Sequence, residues 1–191
     1  MSAVKRIFVE KRADHAVEAA GILADLRENL GLSSLRSVRV LNRYDVAGLG
    51  EKEWAQAKSL VFAEPMVDDV YEESLPVWPE TIFFAMEYLP GQYDQRADSA
   101  AQCLQLLSAG ERPQIRTAKV LALGGAVTAA ELARIKAYCI NPVEAREASL
   151  EKPSTLDEEL VQPDDVAVLS GFLTLDAAAV EALHAELGLA M

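Results

Sequence analysis

The sequence repeats itself, and the repeat constrains the fold more than any single motif does. At an offset of 75 to 80 residues, Arg36-Ser37-Val38-Arg39-Val40-Leu41 falls on Arg116-Thr117-Ala118-Lys119-Val120-Leu121, identical or chemically similar at each position. Glu53-Trp54-Ala55-Gln56-Ala57-Lys58 falls on Glu131-Leu132-Ala133-Arg134-Ile135-Lys136, Pro65 on Pro142, and Ile7-Phe8 on Ile82-Phe83. The order is kept throughout, which is the mark of two copies of one folding unit.

Each copy reads as strand, helix, strand, helix and a short closing strand. The first strands are expected over Lys5 to Lys11 and Thr81 to Leu89, where Ile82, Phe84, Met86 and Tyr88 share one face at period two. Helices follow over Ala16 to Leu30 and Ser99 to Leu107, with Gly31 and Gly110 placed to stop them. The second strands run Ser37 to Tyr44 and Ile115 to Leu123. The second helices run Glu51 to Ala63 and Thr128 to Ile140, with Thr128 and Glu131 spaced as a capping box. Trp54, Ala57 and Val61, matched by Leu132, Ile135 and Cys139, mark their packed stripes. Short strands are expected near Val67 to Glu72 and Val143 to Glu147. Two helices alternating with three or four strands predict an α+β fold. The arrangement expected is two ferredoxin-like βαββαβ-type units, residues 1–77 and 78–149, packed as a pseudo-symmetric pair with each sheet burying the other's open face.

From residue 150 onward the character changes. Residues 150–191 hold nine acidic residues against one base, Lys152. Pro153 and Pro163 punctuate a linker over Leu150 to Asp165, and a helix capped by Asp176 is expected over Ala177 to Leu187. The apolar end Gly188-Leu189-Ala190-Met191 has no closing element, which fits a natural terminus or, the reading preferred, a truncated chain. The formal net charge of −12 excludes nucleic acid and anionic membranes as natural partners. No apolar run reaches the roughly 20 residues that span a bilayer, and no signal peptide is legible, so a cytoplasmic protein is expected. Cys103 and Cys139 lie in helical patterns and read as buried, reduced thiols. His15, at a helix start, and His184, in the acidic tail, read as solvated, and no Cys/His pair has metal-ligand spacing. No metal site and no catalytic residue is expected.

The two copies differ most between first strand and first helix, where the alignment gives the second copy about four extra residues. That stretch holds Gly91, Gln92, Tyr93, Asp94, Gln95, Arg96, Asp98 and Ser99. Pro90 and Gly91 set a turn, and Asp98 or Ser99 would cap a helix whose N-terminus favours an anion. Arg96 adds a forked cation for phosphate or carboxylate. The bland alternative is a capped surface loop. Gly124-Gly125 reads as a turn, and the acidic run Asp68-Asp69-Val70-Tyr71-Glu72-Glu73 as a solvated face or partner contact.

Several stretches resemble a known family. Arg6-Ile7-Phe8-Val9-Glu10-Lys11, Leu26-Arg27-Glu28-Asn29-Leu30-Gly31-Leu32, Val40-Leu41-Asn42-Arg43-Tyr44-Asp45 and Val67-Asp68-Asp69-Val70-Tyr71-Glu72 resemble the start of the single-chain phosphoribosylformylglycinamidine synthases of clostridia and related bacteria. So do Glu87 through Gln102, Asn141-Pro142-Val143-Glu144-Ala145-Arg146-Glu147, and Leu183 through Ala190, the last similar to the start of that family's linker domain. The resemblance implies two fused copies of a small accessory subunit, belonging to a glutamine- and ATP-dependent ligase of purine synthesis. It also implies that the glutaminase residues and the ATP and magnesium ligands lie outside this chain, which carries no cofactor of its own. Its partners would be the synthetase and glutaminase domains, and its place would be beside the ammonia route. The loop of Gly91 to Ser99 would approach the substrate phosphate or a neighbouring domain. The competing expectation is a stand-alone ferredoxin-like effector-binding or assembly module.

Overall fold

The computed structural model describes residues 3–157, 165–166 and 168–188, and the chain divides into two compact units, Met1–Asp157 and Glu158–Met191. In the first unit the chain runs β1 (Lys5–Lys11), α1 (Val17–Leu30), β2 (Leu35–Ala47), α2 (Glu51–Ala57) and β3 (Asp68–Glu72). It continues as β4 (Thr81–Tyr88), α3 (Gln95–Ser108), β5 (Gln114–Gly125), α4 (Ala129–Cys139) and β6 (Ala145–Ala148). The α2 helix continues as a π-helical turn, Lys58–Phe62. All six strands form one antiparallel sheet in the order β3-β1-β2-β5-β4-β6. The order of elements is the same in each half, and the strand order reads the same from either edge.

Three features depart from the expected pair of sandwiches. Each half supplies three strands, not the four of a βαββαβ unit. The halves meet edge to edge, through a long β2–β5 ladder from Leu35↔Gly125 to Ala47↔Gln114, instead of face to face. The ladder satisfies the backbone polar groups that two separate edges would leave open. The third departure concerns the matched hexamers. Val40 pairs with Leu121 and faces the helices with Ala19 and Leu26, whereas Val120 pairs with Leu41 on the opposite face beside Phe8. An even offset therefore cannot be the structural one, because side chains alternate faces and a one-residue shift exchanges them all. The Ile7-Phe8 match to Ile82-Phe83 does keep faces: Ile7 points to the helices and Phe83 lies with Phe8 on the other side.

All four helices of the first unit lie over one face, and each pair takes one helix from each half. Trp54 and Ala57 of α2 pack with Ala100 and Leu104 of α3 over Ile7, Val9, Tyr44 and Val46. Leu26 of α1 packs with Ile135 of α4 over Leu35, Val38, Phe84, Leu121 and Leu123. Leu26, Leu104 and Ile135 are fully buried, each contributing about 1.5–3 kcal/mol relative to exposure. Gly31 ends α1 at φ 66°, but α3 ends on Ala109 at φ 49°, one residue before the expected stop at Gly110. Thr128 and Glu131 form the capping box on α4.

The helix-free face is charged as well as apolar. Arg6 and Asp45 are buried there as a two-pronged pair, with Arg6 Nη2 to Asp45 Oδ2 at 2.8 Å, and Arg43 Nε lies 3.3 Å from the same carboxylate. The spare guanidinium N–H groups bind a strap formed by residues 149–157. Arg6 donates to the Leu150 and Glu151 carbonyls, and Arg43 donates to the Ser149 carbonyl at 2.6 Å. Leu156 is buried, so this part of the expected linker is anchored to the sheet. Trp78 closes the other half of the face, stacked on Phe83 and covered by the Arg39 guanidinium 3.6 Å from its ring centre.

In the second unit Phe172–Thr174 forms a 3-10 turn, and α5 (Ala177–Glu186) is capped by Asp176, which accepts from Ala179 N at 2.8 Å. The rest of the expected linker, residues 158–164, lies outside the described residues. His184 is half-buried, with Nε2 shielded from solvent and unbonded among the described residues, not solvated as expected. Among the described residues no helix is long and apolar enough to cross a membrane.

Candidate functional site

A cavity of about 660 Å³ opens on the helix face, between the two helix pairs. Its floor is the seam of the sheet: Asn42 and Tyr44 of β2 face their strand partners Lys119 and Thr117 of β5. Apolar side chains fill the inward positions on either side, Val38, Val40 and Val46 on β2 and Leu121 and Leu123 on β5. The polar residues interrupt a pattern that would otherwise bury a continuous core. Val61 and Met86 keep part of the wall apolar, and Cys103, Cys139 and Asn141 complete the rim.

The structure divides the eight residues singled out in the sequence. Gln95, Arg96 and Ser99 line the cavity. Gly91 supplies the turn at φ 85°, and Gln92 closes it through its N–H to the Leu89 carbonyl at 3.0 Å. Tyr93 is exposed and donates to Asp98 at 2.9 Å. Asp98 also accepts from Gln102 at 2.7 Å and pairs with Arg112. These bonds, that of Arg112 first and that of Tyr93 next, hold the Asp98 carboxyl below the usual range. Tyr93 and Asp98 therefore serve the outer surface of α3 and do not line the cavity.

The helix cap differs from expectation. Asp94, not Asp98 or Ser99, caps α3, accepting from Ala97 N at 2.9 Å and from Thr117 Oγ1 at 2.7 Å. The second connection is only one residue longer than the first, residues 89–94 against 12–16, and α1 and α3 each run 14 residues, so the four extra residues expected there are not found. Asp94 has the extended backbone and short acceptor that a cap requires, and it precedes Ala97 by three positions. That spacing was a legible signal, obscured by two further capping residues four and five positions on.

Arg96 reaches towards the floor, its Nη1 3.5 Å from Tyr44 Oη, at the outer limit of a hydrogen bond. Among the described residues no carboxylate pairs with it. Lys119 is paired with Glu18 of α1. The two thiols are not both buried: Cys103 is exposed and Cys139 half-buried, because α3 and α4 belong to different helix pairs and turn these positions to the gap between them. Burial raises the Cys139 thiol, and no histidine lines the cavity to activate either sulfur. Among the described residues no three His, Cys, Asp or Glu side chains are grouped to hold a metal ion.

The acidic run is internally neutralised. Asp68 pairs with Lys11 at 2.8 Å, Asp69 with Arg12 at 3.1 Å and Glu72 with Lys58 at 2.7 Å, while Glu73 pairs with Lys152. It is thus the closing strand of the first half and its tether, with Asp69, Glu72 and Glu73 still about half exposed to solvent. Gly124 and Gly125 have a packing reason: a Cβ on Gly124 would strike Ser37 Oγ, and one on Gly125 would strike the Ser34 carbonyl. Comparison with protein-family models gives no match, and neither does comparison with curated proteins. Chemically, the cavity presents a guanidinium, amides and hydroxyls that can bind and orient a polar ligand.

Proposed function

We propose that this chain is the non-catalytic N-terminal scaffold of a phosphoribosylformylglycinamidine synthase, the ATP- and glutamine-dependent ligase of purine synthesis that its sequence resembles. The observation that carries this reading is the single sheet built from two matching halves, with each helix pair drawn from both. Such a body cannot hinge between its halves without breaking the β2–β5 ladder, so it suits a part whose task is to hold other domains at a fixed distance. The matched order of elements supports an origin by duplication of a ferredoxin-like unit.

In that role the scaffold organises a glutaminase domain and a synthetase domain that lie outside this chain. Ammonia released in one must reach the other unprotonated, and a rigid wall beside the route keeps water out. ATP and magnesium would bind in the synthetase part, with none of their ligands supplied here. The partly exposed cations of the helix-free face, Arg39 and Arg146, held by the more buried Glu10 and Glu87, suit polar contact with a neighbouring domain. The test is complementation. Adding this chain to the same synthase lacking it should restore glutamine-dependent amidine formation, and a folded but inert mixture that forms no complex would count against the scaffold.

A second reading, a stand-alone effector-binding module, is favoured by the 660 Å³ cavity, which a pure scaffold does not need. A regulatory module would bind its metabolite in the absence of any other domain, and the scaffold would still require those domains.

A further inference from the structure

The two halves offer equivalent places for a ligand, and only one is filled by the protein itself. Glu18 is the second residue of the 14-residue α1, and Arg96 is the second residue of the 14-residue α3. Beneath them lie Lys119 and Asn42, direct strand partners across the seam. In the first half Glu18 pairs with Lys119, and the remaining pocket there measures about 50 Å³. In the second half the matched positions hold Arg96 and Asn42, which cannot form an ion pair. There the cavity measures about 660 Å³, and Arg96 has no acidic partner among the described residues.

We infer that this cavity is a binding site for a free α-amino acid, whose carboxylate pairs with Arg96 and whose ammonium faces Glu144. A planar guanidinium with unused N–H groups is matched by a carboxylate in a two-pronged bond. Glu144 lines the same cavity and has no cationic partner among the described residues, whereas the Glu87 carboxylate is paired with Arg146 at 2.8 Å and lies near Arg43 on the helix-free face. One unpaired cation and one unpaired anion together select a zwitterion. A phosphate dianion would meet the Glu144 charge and the field of a chain with net charge −12. Asn42, Thr117 and Asn141 supply amide and hydroxyl groups for a polar side chain of the ligand. The site is independent of the scaffold reading, since it uses no residue of the helix-free face and no other domain.

The experiment is calorimetric titration of the whole chain with the common amino acids one at a time, each at millimolar concentration. The expected result is saturable binding of at least one, with affinity at least about tenfold weaker for its carboxamide and for its N-acetyl derivative. Arg96→Ala should lose about the same tenfold, and Glu144→Gln should abolish the discrimination against the N-acetyl derivative. Both side chains lie at the surface of the fold, so unchanged circular dichroism is expected of both variants. Absence of binding by every amino acid, displacement of a bound one by inorganic phosphate, or undiminished affinity in Arg96→Ala would each overturn the proposal. Binding without complementation of the synthase would leave the site standing and remove the scaffold, and the reverse outcome would do the opposite.

Discussion

The junction of first strand and first helix occurs twice in this molecule, and the two versions have opposite contents. At β1–α1 the pocket is small, and Glu18 reaches the seam to pair with Lys119. At β4–α3 the corresponding position is Arg96, the floor offers the neutral Asn42, and a cavity more than ten times larger stays open. The backbone plan is the same in both. Two matching junctions can therefore differ in whether an ion pair closes them, through which charge stands on the second residue of a helix. The open junction lies in the second half.

The largest effect is expected from the support common to both junctions. Asp45→Ala would leave Arg6 buried without its carboxylate beside Arg43, whose remaining acid, Glu87, is 3.9 Å away, costing about 3–5 kcal/mol in urea unfolding. Burial already lowers Arg43 from its usual value despite Asp45, and Arg6 lowers it further, which is the direction expected of a cation short of compensation. Both junctions should weaken together. Retention of full stability would mean that the helix-free face does not support them.

Asp94→Ala should act on one junction only. It removes the α3 cap and the acceptor for Thr117, costing about 1–2 kcal/mol, and backbone amide exchange should quicken in the first turn of α3 while that of α1 is unchanged. Equal acceleration in α1 would show that the junctions are coupled and the contrast is not local. Glu18→Gln is expected to change stability by less than about 1 kcal/mol, because its ion pair with Lys119 is largely solvated. Its informative readout is a crystal structure of the variant, in which the small pocket should widen towards Lys119. An unaltered pocket would show that something other than the charge pair closes it.

The smallest effect is a dependence on pH shared by both halves through the strap. Burial would raise the Glu73 carboxyl, but Lys152 and the Arg6 backbone N–H outweigh it and hold it below the usual range. A carboxyl lowered by folding adds stability above the unfolded value of about 4.3 and loses it as pH falls through the folded value. Amides of residues 149–157 should therefore exchange faster as pH is lowered past that range, after correction for the intrinsic rate. Lys152→Ala should abolish the pH dependence. Protection that does not change with pH in the unaltered protein would separate the strap from this pair.

Elements were more legible in the sequence than their assembly. Periodicity located every strand and helix of the first unit within a few residues, and the Thr128–Glu131 box and the Gly31 stop stand where their chemistry requires. The pairing of β2 with β5 was not legible, because both strands read as ordinary members of separate sheets. The hexamer match was misleading for a physical reason. Val, Leu and Ala on a strand buried on both sides carry no mark of which face they use, so identity of residues did not fix register. At the site, Arg96 was found through its charge and Gln95 and Ser99 through their neighbourhood. Asn42, Thr117 and Lys119 were missed, although each is a polar residue at an inward position of an apolar strand, the one local signal of a floor built for something other than packing.

The scaffold reading rests on recognition of other domains by a rigid body, and sedimentation velocity measures that directly. Mixed with the synthase that lacks this region, the chain should sediment as a stoichiometric complex that survives moderate salt. Two independently sedimenting species, with both partners folded, would contradict the account.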